Sequence, residues 1–326
     1  MKAVMALPPS LISIGMELIG MDLRNMRIMS LSGSCGRLPA SPSAYTDATI
    51  LEPTGSSAHS PNVDHSSSGR ALPLLPDSKT ELVRRGNKVV YDLGDKIVKV
   101  FNETKPVSDV FNEALNLARI NECGIRSPKA LEVSQLENAN GWALVTEKVP
   151  GTTLAEKMAA EPQRFGEYLE MFVDLQIEIH GYTSPLLNRQ RDKFARMIDS
   201  LDQLNATTRY NLQERLDGMT KEFKVCHGDF NPSNVIVGDD GQLYVCDWAH
   251  ATQGSPAADV ATTYLLFALN SKDQAEAYLE LYCDRADMPM QVVRQWTSIV
   301  AASELARKRN VNDEFLKDWI DVVDYQ

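Results

Sequence analysis

His227-Gly228-Asp229-Phe230-Asn231-Pro232-Ser233-Asn234 and, eighteen residues after Asp229, the pair Asp247-Trp248 are the stretch whose reading decides this fold. Val225-Cys226 is a short apolar run that stops at His227, and Val235-Ile236-Val237 is a second such run. Asp239-Asp240-Gly241 has the composition of a hairpin turn, and Gln242 to Cys246 reads as a third strand ending at Asp247. A hairpin brings its ends together, so Asp247 returns to the loop that holds Asp229 and Asn234. One Asp is then offered to a substrate hydroxyl. The Asn and the second Asp are oxygen ligands of the kind Mg²⁺ takes alongside nucleotide phosphates.

The spacing His-x-Asp-x-x-x-x-Asn matches the kinase catalytic loop, in which the Asp accepts the hydroxyl proton and the Asn binds metal. HGDFNPSN together with VCDW resembles the aminoglycoside phosphotransferase and choline kinase branch of the protein-kinase-like fold. That branch writes HGD where protein kinases write HRD, and ends its metal strand in Asp-Trp where they write DFG. The run Asp247 to Ala261 is similar to the same family, with Ser255 standing where its Gly-Asp-Pro turn has Asp. The resemblance implies an α+β, two-lobe fold, with a small N-terminal β-sheet lobe carrying one key helix and a larger, mainly helical C-terminal lobe. It also implies transfer of the γ-phosphoryl of ATP or GTP to a hydroxyl of a small molecule. Asp229 would be the catalytic base, and Asn234 and Asp247 the Mg²⁺ ligands, with His227 and Asp259 supporting the site.

Three other readings compete. A plain polar turn suits Gly, Asp, Asn, Pro and Ser, but requires neither Asn at that offset nor Asp at the end of the next hairpin. A metal-dependent phosphoesterase would use His227, Asp229, Asp247 and His250 around a two-metal site, and leaves Asn234 and an upstream lysine unexplained. A nucleotide-binding regulator without turnover has against it that all the core polar groups are present.

Composition sets the frame for these readings. The chain has 326 residues, 43% hydrophobic and 24% charged, ample for a real core, and a net charge of −11. Residues 1–150 hold 16 Lys+Arg against 16 Asp+Glu, and residues 151–326 hold 17 against 28, so the whole acidic excess lies in the second half. That argues against a nucleic-acid partner and suits a cationic small-molecule acceptor. Five scattered cysteines without CxxC spacing favour reduced thiols and a cytoplasmic protein.

The division expected along the chain is an extension over 1–79, an N-lobe over 80–148 and a C-lobe over 149–326. In the extension, six of the twelve methionines fall before residue 30, and Ser30 to Gly69 is rich in Ser, Pro and Gly, as disordered segments are. Ala3 to Met16 is too short and too broken by Pro8-Pro9 to span a membrane. Residues 88–93 and 96–101 read as a hairpin through Gly94-Asp95, following Arg85-Gly86-Asn87 where the resembled fold places its phosphate-covering loop. Lys99 matches the phosphate-holding lysine of that fold, and Glu113 its orienting acid. Glu113 lies on a helix over 108–123, capped by Ser108, whose apolar face is Val110, Phe111, Ala114, Leu117 and Ala118.

The resemblance makes Glu147 to Gly151 the crossing between lobes, where the backbone of Glu147 and Val149 meets the adenine edge. Helices follow over 153–160 and 165–180, the second ending in His180, a packed structural histidine. Two amphipathic segments near 188–204 and 207–219 lead to the catalytic loop. Asp259 opens the apolar helix 260–269 and resembles the acid that receives N–H groups of that loop. His250 is given no role by the pattern. Acid-rich helices over 272–285, 290–308 and 312–325 complete the chain.

Overall fold

The computed structural model describes residues 78–136, 141–308 and 313–320. The extension expected over 1–79 therefore lies outside the described residues, apart from Ser78 and Lys79. So does the polar turn at 137–140.

The first lobe is a five-stranded antiparallel sheet in the order β1-β2-β3-β5-β4. Its strands are β1 (Thr80–Arg85), β2 (Lys88–Asp92), β3 (Lys96–Asn102), β4 (Ala130–Gln135) and β5 (Gly141–Glu147). Successive residues of a strand face opposite ways, so β3 serves two surfaces. Val98 packs with Ala143 and Val145 on one of them. Lys99 and Phe101 face the other, where Phe101 and Leu144 pack on Val110 of helix α1 (Val107–Glu122). The position of Lys99 on the helix-bearing face is thus dictated by the pleat.

Helix α1 starts earlier than its sequence indicates. Pro106 is its N-cap and no side chain caps it, so Ser108 lies inside the first turn. The buried face is Val110, Glu113, Asn116, Leu117 and Ile120. Phe111, expected on that face, is 48% exposed and meets the Trp142 ring edge-on at 5.3 Å. The buried stripe thus carries two polar residues, Glu113 and Asn116, where an ordinary amphipathic helix would carry apolar ones.

The chain then crosses through Lys148 to Pro150 into β6 (Gly151–Thr153), which pairs with β8 (Val235–Gly238), itself paired with β9 (Leu243–Val245). Helix α2 (Leu154–Ala160) begins with a capping box, Thr153 receiving the Glu156 N–H while the Glu156 carboxylate receives that of Thr153. The helical lobe is built around α3 (Phe165–Gly181), α4 (Gln190–Asp199), α5 (Ala206–Gly218), α6 (Pro256–Ala268), α7 (Lys272–Arg285), α8 (Met290–Arg294), α9 (Thr297–Ala306) and α10 (Asp313–Ile320). The segment expected as one helix over 290–308 is two, broken at Gln295-Trp296. Helix α6 is buried nearly all round, the mark of a central core helix. Among the described residues no helix is long and apolar enough to cross a membrane.

Candidate active site

Strand β7 (Lys224–Cys226) is buried at Val225 and Cys226 and pairs with β10 (Thr252–Gly254), delivering the chain to His227. Gly228 adopts φ +75, and a Cβ there would stand 2.8 Å from the His250 carbonyl oxygen, so glycine is required. The His227 ring is fully buried. Its Nδ1 accepts the Asp229 N–H at 3.2 Å, which fixes the proton on Nε2, donated to the Cys246 carbonyl at 3.0 Å. Burial lowers the pKa of this ring, outweighing the pull of Asp259 and Asp229. With both nitrogens engaged, His227 is a brace and is not available to a metal.

Asp259, in the first turn of α6, fixes the same loop from below. Its Oδ1 accepts Gly228 N–H at 2.6 Å, and its Oδ2 accepts His227 N–H at 3.2 Å and His180 Nε2–H at 3.0 Å. The Tyr282 hydroxyl closes the chain of bonds, 2.7 Å from His180 Nδ1. Burial alone would raise the Asp259 pKa. The bond and charge of His180, with His227 and the Gly228 N–H, overcome that and hold it below the ordinary value. His180 is the packed histidine its place in the sequence suggested.

Asp229 and Asn234 are joined through the backbone. The Asp229 carbonyl oxygen accepts both Asn231 Nδ2 and Asn234 Nδ2 at 2.9 Å. Committing the nitrogen of Asn234 leaves its Oδ1 as the atom with ligand chemistry. Phe230, between them in the loop, is buried in a stack on Phe172 at 4.4 Å, while its carbonyl accepts Thr263 Oγ1. The hairpin closes as its turn composition indicates: Val235 pairs with Val245, and Cys246 N–H donates to the Asn234 carbonyl at 2.9 Å.

Asp247 therefore lies next to Asn234, with its backbone at φ 63, ψ 55. A left-handed conformation is uncommon outside glycine and aims the carboxylate back toward the sheet lobe. Lys99 Nζ donates to its Oδ1 at 3.2 Å and, on the other side, to Glu113 Oε1 at 2.6 Å. Lys88 Nζ donates to Asp247 Oδ2 at 3.1 Å. Burial opposes the charge on Lys99, yet Asp247 and Glu113 raise its pKa on balance. Burial likewise opposes the charge on Asp247, and Lys99 and Lys88 drive its pKa well down. Both shifts favour the charged forms of Lys99 and Asp247.

The crossing commits its first two donors: Glu147 N–H to the Lys129 carbonyl at 3.0 Å, and Lys148 N–H to that of Asp95 at 3.2 Å. The Glu147 carboxylate turns out to Lys129 at 3.6 Å. Val149 follows, immediately before Pro150, whose carbonyl accepts Asp239 N–H.

Lys193 Nζ donates to the His250 carbonyl at 3.0 Å and lies 3.4 Å from its Nδ1. Among the described residues no group of three or more His, Cys, Asp or Glu is arranged to hold a metal ion. The two-metal phosphoesterase reading needs His227 as a ligand, and both nitrogens of that ring are bonded within the chain. The thiols of Cys226 and Cys246 flank the site as packing groups. Burial raises both, that of Cys246 to about 11.

Three residues of the neighbourhood were not singled out from sequence. Lys88 is signalled only by register, since Val90 pairs with Lys99 and Lys88 shares the face of Val90. Asn116 lies one turn beyond Glu113 and donates to the Trp248 carbonyl at 3.2 Å. Arg307, after α9, donates from Nη2 to the Gly228 carbonyl at 2.8 Å and pairs with Glu304. No local pattern marks that last contact.

A model of the phosphotransferase enzyme family matches residues 85–292, well over half of the chain. Among solved structures, a thermostable mutant of aminoglycoside phosphotransferase APH(4)-Ia, in ternary complex with AMP-PNP and hygromycin B, is similar with a TM-score of 0.54 at 15% identity. The match covers 75% of this chain and 90% of that one. A complex of the same enzyme with ADP and hygromycin B gives 0.54 at 13% identity over the same shares. Aminoglycoside phosphotransferase APH(3'')-Id from Streptomyces rimosus gives 0.51 at 17% identity, covering 69% of this chain and 92% of its own. At such identities the structures establish the two-lobe kinase-like fold, and the family match carries the rest. The chain belongs to the phosphotransferase enzyme family.

Proposed function

We propose that this protein transfers the γ-phosphoryl group of ATP, or of GTP, to a hydroxyl of a small molecule in the cytoplasm, with the N-lobe over 80–148 and the C-lobe over 149–326. The observation that carries the reading is the chain of contacts Glu113–Lys99–Asp247, which joins the two lobes beside the Asp229–Asn234 loop. Solved relatives of this fold hold AMP-PNP or ADP. The donor set also suits Mg²⁺: one carboxylate and one amide oxygen form a sparse oxygen set of the kind that leaves room for waters and phosphates. When bound, Mg²⁺ would be held by Asn234 and Asp247 and would supply positive charge against the phosphates.

The remaining work falls to this chain's own side chains. Lys99, braced by Glu113, binds phosphate oxygens with a charge fixed in place before the ligand arrives. The backbone of Glu147 and Val149 receives the base edge. Asp229 orients the acceptor hydroxyl and takes its proton as the oxygen attacks phosphorus. The bond from the γ-phosphorus to its bridging oxygen breaks, and the nucleoside diphosphate leaves. His227 and Asp259 hold the Asp229 backbone in position. The acidic surplus of residues 151–326 suits a cationic acceptor.

Calorimetric titration with ATP, with and without Mg²⁺, tests the reading on the wild type and on Asp247→Ala. Saturable binding that needs both Mg²⁺ and Asp247 supports it. A folded wild type that binds neither ATP nor GTP refutes it.

A further inference from the structure

Lys88 carries a charge that the reading above leaves unassigned. It opens β2 directly after the exposed turn Arg85-Gly86-Asn87. Lys88 pairs with Phe101 and Val90 with Lys99, so the pleat sends Lys88 and Lys99 to the same face of the sheet. There they meet one carboxylate, Lys88 on Oδ2 of Asp247 at 3.1 Å and Lys99 on Oδ1 at 3.2 Å.

The two lysines are not equivalent. Lys99 is anchored from behind by Glu113 at 2.6 Å. Lys88 makes its ion pair with Asp247 alone among the described residues. Two ammonium groups and two carboxylates leave the cluster neutral. Both oxygens of the proposed metal ligand are therefore already satisfied from within the chain. A cation reaching Asp247 must displace one lysine, and the singly held one costs less to move. The released ammonium needs a new acceptor, and a polyphosphate arriving with the cation supplies it.

We propose that Lys88 is a second phosphate-binding lysine, which occupies Oδ2 of Asp247 in the nucleotide-free protein and passes to the β- and γ-phosphate oxygens when nucleotide enters. The proposal rests on the phosphotransferase reading. No covalent bond changes: an ammonium–carboxylate hydrogen bond is exchanged for an ammonium–phosphate one, and Oδ2 is freed for the cation. Removing the Lys88 charge therefore has effects of opposite sign. It weakens the polyphosphate and strengthens binding of a bare divalent cation.

The test uses the full chain as wild type, Lys88→Met and Lys88→Arg, with thermal melting to verify folding. ATP and AMP are titrated by calorimetry, and Mn²⁺ is titrated without nucleotide by electron paramagnetic resonance. Lys88→Met is expected to bind ATP about 10- to 100-fold more weakly, the scale of one charge-assisted hydrogen bond. It should bind AMP, which lacks the outer phosphates, as the wild type does, and bind Mn²⁺ more tightly. Lys88→Arg should recover most of the ATP affinity. Unchanged ATP affinity in Lys88→Met, or equal losses for ATP and AMP, overturns the role of Lys88 while the phosphotransferase reading stands. A wild type that binds no ATP overturns both.

Discussion

The backbone N–H of Gly228 lies 2.6 Å from Oδ1 of Asp259, a contact spanning 31 residues that ties the His227–Asn234 loop to the central helix of the larger lobe. Asp259 is 1% exposed and also holds His227 N–H and His180, so it fixes both residues that precede Asp229. Asp229 is thus positioned by its neighbours' backbone.

Replacing Asp259 with Asn leaves an amide nitrogen facing donors and removes the charge that His180 meets. A loss of roughly 3 kcal/mol in urea unfolding is expected, the scale of breaking a buried pair. The pH dependence follows from the sign of the shift. The folded-state pKa of Asp259 is depressed below its ordinary 3.8, so its stabilisation is complete above that value and is lost as pH falls below it. Asp259→Asn should lack this component and show a flatter acid limb. An unfolding midpoint and acid limb equal to those of the wild type would contradict the assignment.

Gly228→Ala places a methyl group 2.8 Å from the His250 carbonyl oxygen at a positive φ. Backbone must move to relieve the contact, at about 1–3 kcal/mol. The displacement falls on Asp229, so kcat should fall while ATP affinity measured by calorimetry is retained.

Asp229→Ala removes the proposed base from a loop whose shape is held by Asp259, His227 and Phe230. Turnover on a phosphorylated acceptor should drop about 10²- to 10⁴-fold, the usual contribution of a positioned base. Nucleotide affinity should stay near wild type. Undiminished turnover would remove Asp229 from the mechanism.

Lys99 and Glu113 meet at 2.6 Å with both side chains largely buried; removing Lys99 takes away the ion pair of Glu113, whereas removing Glu113 leaves Lys99 held by Asp247 alone. In a double-mutant cycle on Mg-ATP affinity with Lys99→Met and Glu113→Gln, a coupling of roughly 1–2 kcal/mol is expected. Additive effects would show that Glu113 does not act through Lys99.

Much of this site was legible because it is local. Asp229, Asn234 and Asp247 fall on one loop and one tight hairpin, where turn composition alone brings the ends together. The strand around Lys99 announces itself through β-branched neighbours. Lys88 was not legible, because its place depends on cross-strand register and on a contact 159 residues away. Arg307 is a tertiary contact with no periodic signature. Around α1, Ser108 has the right chemistry for a cap, but Pro106, with fixed φ and no N–H, suits the residue before the first turn and starts the helix sooner. Phe111 stays outside because Glu113 and Asn116 take the inner face to meet Lys99 and Trp248.

The crossing segment is bonded into the same small sheet as the hairpin that ends in Asn234 and Asp247. Gly151 lies so close to β8 that a Cβ would stand 2.3 Å from the Val237 carbonyl oxygen. The strap between the lobes is therefore a structural member of the hairpin. Through β8 and β9 the strap is continuous with the hairpin that carries both proposed metal ligands. If the strap receives the base edge as proposed, substitutions there are expected to change metal affinity together with nucleotide preference.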